Sequence, residues 1–201
     1  MGHIGSQQRT KYGVVGSAMN LTGRIESYTT GGQILISPTT YVETAALLTV
    51  SHQMTVAPKG VAAPITLYAI SGMRGAHALD LPNQTEMLVS LPQALDVRYT
   101  VLEGRFAGSA MYAGRMLKLA TKTAELHLDQ PVTAFSNLKL HLLRPTGEVM
   151  PGELFAKVVE TRPEDASRVV VRFTSLPEAA RTFLDTMRGY EYHVINRAEQ
   201  V

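Results

Sequence analysis

The sequence predicts an α+β chain in two parts, a mixed segment of helices and strands followed by a small antiparallel barrel with a C-terminal helix. Three observations carry this expectation. A glycine turn opens an amphipathic helix at Ser17 and is followed by short apolar runs in the first 75 residues. From Asp96 to Phe173 six runs, DVRYTVLEG, GRMLKLAT, AELHL, NLKLHLL, GELFAKVVE and RVVVRF, alternate largely apolar with polar between Gly, Pro, Asp or Asn. After them, RFTSLPEAARTFLDTM changes to helical spacing. The domain reading is therefore 1–75, a linker at 76–87, a barrel at 88–188 and a tail at 189–201.

The elements follow in order. From Ser17, read as an N-cap, Ala18, Leu21 and Ile25 fall on one side of a helix, while Ser17, Asn20, Arg24 and Ser27 form an adjacent polar stripe. Gln33 to Ser37 reads as a short buried strand. Ser37-Pro38 reads as an N-cap with proline at the first helical position, opening a helix to about Leu48. Strands near His52 to Val56 and Ile65 to Ile70 flank a Pro58-Lys59-Gly60 turn. Gly72, Gly75, Pro82, Asn83 and Gln84 form the breaker-rich boundary. In the barrel segment Leu138, Leu140 and Leu142 point one way, Lys139 and His141 the other. In the last helix Ser175 and Glu178 make a capping box, with Ala179, Phe183 and Met187 on the buried face.

Composition narrows the classes. The chain has 201 residues, 45% of them hydrophobic, and no cysteine, which excludes disulfide and thiolate chemistry. A net charge of +2 does not point to nucleic acid. No apolar run approaches the roughly 18 residues of a membrane span, and no secretory leader pattern is present, so a cytoplasmic location is expected. His52, His77, His127, His141 and His193 are scattered without metal-ligand spacing. Met73, Met87, Met111, Met116 and Met187 are spread across elements and read as core filler.

Asn20 and Arg24, one helical turn apart, can reach a ribose oxygen and a phosphate together. From spacing alone a solvated polar face accounts for the pair as well. The surrounding run, IGSQQRTKYGVVGSAMNLTGRIESYTTGGQILIS, with Lys59-Gly60 and PITLYAISG after it, resembles the C-terminal half of class III adenylate and guanylate cyclase catalytic domains over about residues 2–75. The resemblance implies part of a cyclase-type α/β sandwich, C-terminal half only. It makes Asn20 the ribose ligand and Arg24 the stabiliser of the transferring α-phosphate, with Gly13, Gly16 and Ser17 around the nucleotide. Gly13 stands where the family reads the purine, and a glycine has no side chain to read it. The family's two metal-binding Asp residues have no counterpart before Asp80. The resemblance thus implies a truncated chain, inactive alone, from a parent that converts ATP, or secondarily GTP, to the 3′,5′-cyclic nucleotide and pyrophosphate with Mg²⁺ or Mn²⁺, at sites shared across a head-to-tail homodimer.

Six strands followed by V-R-F-T-S-L-P-E and a helix resemble the PilZ family over about residues 88–188. The family's cyclic di-GMP motifs are lost. Arg98 and Arg105 are seven apart rather than four, and Leu119, Thr121 and Ala124 replace Asp, Ser and Gly. Cyclic di-GMP is therefore not expected as a ligand, and the barrel is expected to be a regulatory module with a protein partner. The alternatives are a non-enzymatic cyclic-dinucleotide sensor using Arg98, Arg105 and Arg115, and a plain protein-interaction adaptor.

Overall fold

The computed structural model describes residues 2–6, 9–58, 61, 63–82, 86–103, 106–107 and 110–198. The chain divides into two compact units, residues 1–84 and 85–201.

In the first unit, β1 (Gly2–Ser6) and β2 (Arg9–Gly13) form an antiparallel hairpin. Helix α1 (Ser17–Glu26) follows, capped by Gly16 rather than Ser17. Gly16 sits at φ 158°, ψ 169°, a conformation open to glycine and costly for other residues, so the chain turns into the helix one residue earlier than the serine suggested. Strand β3 (Ile34–Ile36) leads into α2 (Pro38–Thr44). Ser37 caps α2, its Oγ accepting the Thr40 N–H at 3.2 Å, with Pro38 at the first position.

Two expectations for this unit need correcting. Ile34 is 47% exposed, so β3 is not a buried strand. Helix α2 stops at Thr44, because residues 45–47 turn into β4 (Leu48–Val56). Strand β5 (Ile65–Met73) lies between β3 and β4 in an antiparallel sheet, and β6 (Leu79–Asp80) pairs with its end. Leu79 and Asp80 thus belong to this sheet, within the stretch read as linker. Tyr41 of α2 stacks on Tyr68 of β5 with ring centroids 3.9 Å apart.

The second unit is built on β7 (Val89–Glu103), β8 (Phe106–Ala107), β9 (Tyr112–Leu119), β10 (Thr123–Leu128), β11 (Asn137–Leu142), β12 (Leu154–Arg162) and β13 (Asp165–Ser175). The order β11-β12-β13-β10-β9-β7 is closed by pairing of β11 with β7, giving a six-stranded antiparallel barrel, with β8 attached to β7. Closure leaves these six strands without a free edge. Alternation does the packing: Leu138, Leu140 and Leu142 are fully buried beside Val97, Tyr99, Met116, Leu126, Leu154, Val158, Val169 and Val171. Burying each leucine contributes about 1.5–3 kcal/mol.

Helix α3 (Glu178–Ala198) covers part of this core and continues past residue 188 into the expected tail. It begins at Glu178, while Ser175 is the last residue of β13, so the capping box is not formed as read. Ala180 and Leu184 are buried, Phe183 and Met187 pack partly buried beside them as expected, and Ala179 is exposed. Of the methionines read as core filler, Met116 is in the core and Met187 packs against it, whereas Met73, Met87 and Met111 are 38%, 85% and 55% exposed. Among the described residues no helix is long and apolar enough to cross a membrane.

Candidate functional site

The site follows from one local event, the entry of the chain into α1. Gly13 ends β2, Gly16 makes the turn, and the Asn20 N–H closes the first helical hydrogen bond on the Gly16 carbonyl at 3.0 Å. Asn20 and Arg24 then project one turn apart from the same side of α1, both exposed, and neither side chain has a partner among the described residues. Arg24 also lies in the last turn of α1, where a guanidinium is favoured by the helix dipole. On the neighbouring side, Ile25 is buried and Leu21 half-buried.

Between α1 and the β3-α2 connection lies an open groove of about 510 Å³, lined by Ser17, Leu21, Thr22 and Ile25 on one wall and Ile36, Ser37 and Thr40 on the other. Ser17 thus joins the groove, while Asn20 and Arg24 stand outside its lining. The hydroxyl groups of Ser37 and Thr40, 3.0 Å apart, were not foreseen as groove residues, since the sequence signals only their part in capping α2. Chemically, a carboxamide and a guanidinium so placed can hydrogen-bond and neutralise an anionic group, but they supply neither a general base nor a carboxylate for a metal ion.

The acidic residues of the first unit are Glu26, Glu43 and Asp80, the last on β6. Glu26 lies on α1 and Glu43 on α2, both exposed, and among the described residues no group of three His, Asp or Glu side chains converges. The resemblance implies a pair of Asp residues for Mg²⁺ or Mn²⁺, and the described residues of the first unit hold no such pair.

On the barrel, Arg98 and Arg115 are exposed on the neighbouring strands β7 and β9, in register opposite Ala113 and Asp96 respectively. Arg105, like Lys59-Gly60, lies outside the described residues. Leu119 and Ala124 point into the core, 2% and 0% exposed. The β9-β10 turn between them is clamped. Glu86 accepts the Lys122 N–H at 2.7 Å and the Thr123 hydroxyl at 3.1 Å, and Arg188 of α3 donates to the Thr121 hydroxyl. A carboxylate and a helix residue therefore occupy the end of the barrel where the PilZ-like motif would fall.

A second cluster was not visible in the sequence. Glu125, 2% exposed although it faces the outer wall, lies 3.5 Å from Lys118 Nζ, 3.2 Å from Arg162 Nη2 and 3.8 Å from Arg168 Nη1.

No family model matches the chain, and no curated protein does. Solved structures similar to it include the following two. One is the crystal structure of the guanylyl cyclase Cya2, 51% identical over 40% of this chain and 41% of that one, with a TM-score of 0.38. The other is the structure of the Bacillus subtilis inhibitor of motility MotI/DgrA, 11% identical over 71% of this chain and 63% of that one, with a TM-score of 0.40. The chain spans less than two thirds of either. The cyclase likeness is one of sequence; neither superposition is close enough to establish a shared fold.

Proposed function

We propose that the chain is part of an intracellular signalling protein, its first unit the C-terminal half of a class III nucleotide cyclase catalytic domain and its second unit a PilZ-like regulatory barrel. The observation that carries this reading is the placement of Asn20 and Arg24, one turn apart, exposed and without a side-chain partner among the described residues, directly after the Gly16 turn. The order of motifs around them and the 51% sequence identity over 40% of the chain support it. In the parent reaction the ribose 3′-oxygen attacks the α-phosphorus, the bond to pyrophosphate breaks, and the hydroxyl proton is released. Asn20 orients the ribose, and Arg24 neutralises the charge that grows on the α-phosphate oxygens, a contribution made chiefly in the transition state. With Gly13 at the base-reading position, ATP and GTP both remain substrates of the proposal, and the guanylyl cyclase neighbour gives GTP equal standing. The carboxylates that hold the metal ions must come from outside the residues described, so the chain alone is expected to form no product.

The test is complementation. The purified chain is mixed with a class III cyclase in which the residues equivalent to Asn20 and Arg24 are replaced but the metal-binding Asp pair is intact, and cyclic nucleotide is assayed with Mn²⁺ and ATP or GTP. Product that appears only in the mixture and is lost with Arg24→Ala supports the reading. Absence of product, together with no calorimetric binding of either triphosphate to the chain, overturns it.

A further inference from the structure

The sheet of the first unit ends in β4, whose second edge has no partner strand among the described residues. An unpaired edge presents a row of free N–H and C=O groups, and proteins ordinarily blunt it with charge, proline or a bulge. The β4 sequence, LTVSHQMTV, contains no Lys, Arg, Asp, Glu or Pro. One blunting device is present. The register against β5 shifts on either side of Val50, and the Ser51 hydroxyl donates to the Ala69 carbonyl at 3.2 Å. Beyond that irregularity His52–Val56 pairs with β5 in unbroken register, leaving five residues of regular edge. Strand β3, at the other end of the sheet, is only three residues long.

The side chains on this stretch sort by face. Gln53 and Thr55 are exposed and share one side, while Met54, half-buried, and Val56, 5% exposed, share the other with His52. We propose that β4 is an interface between two copies of this chain, paired antiparallel about a two-fold axis at Met54 so that their sheets become one. In that register Met54 faces the partner's Met54, Gln53 faces the partner's Thr55, and His52 faces the partner's Val56. Polar residues meet polar residues on the open side, and on the other side the central Met54 pair is flanked by exposed His52 set against buried Val56. A two-fold contact requires a strand complementary to itself, and like charges directly opposite one another are destabilising. The absence of any formally charged residue from β4 removes that penalty, which favours a second copy over an unrelated strand. This interface rests on the sheet of this chain and not on the roles proposed for Asn20 and Arg24.

The experiment is sedimentation equilibrium of the full chain over a wide concentration range, with two double variants, Gln53→Lys with Thr55→Lys and Gln53→Glu with Thr55→Glu. Both positions are exposed, so thermal unfolding followed by circular dichroism is expected to be unchanged. In the proposed register each variant sets like charges opposite one another and weakens self-association about tenfold or more. Their equimolar mixture sets opposite charges together and recovers association. Because the chain has no cysteine, Met54→Cys adds a specific reporter: mild oxidation yields a covalent dimer, since directly opposed antiparallel residues lie within disulfide reach. A monomer at every concentration overturns the proposal. So does a dimer that the charged variants leave unchanged, and so does weakening that the mixture fails to reverse.

Discussion

The Tyr99 hydroxyl and the Gln130 peptide hold each other twice: the hydroxyl donates to the Gln130 carbonyl at 3.0 Å and accepts the Gln130 N–H at 3.1 Å. Tyr99 is fully buried in β7, so this pair anchors the segment after β10 to the barrel core. Gln130 is exposed and water can replace the hydroxyl, so Tyr99→Phe is expected to cost about 1–2 kcal/mol rather than the full penalty of an orphaned pair. Urea unfolding of the two proteins at neutral pH measures it.

The same hydroxyl sets an alkaline limb. Burial pushes the Tyr99 pKa up, the Gln130 hydrogen bond partly opposes it, and Asp129 and Tyr112 add to the rise. In the unfolded chain a tyrosine ionises near pH 10. The folded state therefore keeps its proton to higher pH. Its contribution is present in full below that unfolded value and is lost as pH rises through the folded one. The stability difference between wild type and Tyr99→Phe is expected to shrink between pH 8 and pH 11, and a difference that grows contradicts the assignment.

At Gly114 of β9 a methyl group has no room. A Cβ there would lie 2.9 Å from the His127 carbonyl oxygen and 3.0 Å from Leu128 Cδ2, where β9 and β10 approach. The carbonyl is ladder backbone and cannot step aside, so Gly114→Ala is expected to destabilise the barrel by about 1–3 kcal/mol. Gly23 on α1 meets nothing within 4 Å, and Gly23→Ala is expected to be tolerated or to favour the helix. Paired thermal melts distinguish the two.

Asp165, at the start of β13, accepts both the N–H and the hydroxyl of Ser167. These bonds, with smaller help from His127 and Arg168 and against some desolvation, hold its carboxyl below the ordinary range. A depressed folded pKa gives stability that is present above the unfolded value and disappears as pH falls through the folded one. An NMR titration is expected to find Asp165 below the usual value near 3.9, and Ser167→Ala to return it toward that value.

How far the sequence could be read depended on whether a feature is local. Asn20 and Arg24 share a face because helical spacing requires it, and Leu138, Leu140 and Leu142 face inward because strands alternate; both follow from neighbours in the chain. On α3 the helical spacing correctly placed Phe183 and Met187 against the core and erred at Ala179, where Ala180 and Leu184 take the buried positions; the capping box failed because Ser175 serves β13, a choice made by sheet pairing. The status of β4 as an end strand is a property of topology. Glu125 was the least legible. Alternation places it outward, and its burial exists only because β9, β12 and β13 bring Lys118, Arg162 and Arg168 over it.

Glu125 also orders the ion pairs of the barrel by importance. Arg162 makes the shortest contact with it, at 3.2 Å, and at the same time holds Glu160 at 2.6 Å. Arg162→Met leaves a buried carboxylate with its two more distant cations, so the loss includes desolvation that is no longer compensated. Because Arg162 is itself 34% exposed, solvent screens part of the effect, and about 1–3 kcal/mol is expected. Lys139 pairs with Glu153, which is 49% exposed. Lys139→Met is expected to cost no more than about 0.5 kcal/mol, as for other surface pairs. Adding 1 M salt is expected to close little of the gap between wild type and Arg162→Met, because screening acts weakly on a buried partner. Equal costs for the two substitutions, or a gap that salt abolishes, would show that Glu125 is solvated and that the cluster does not bind the strands together.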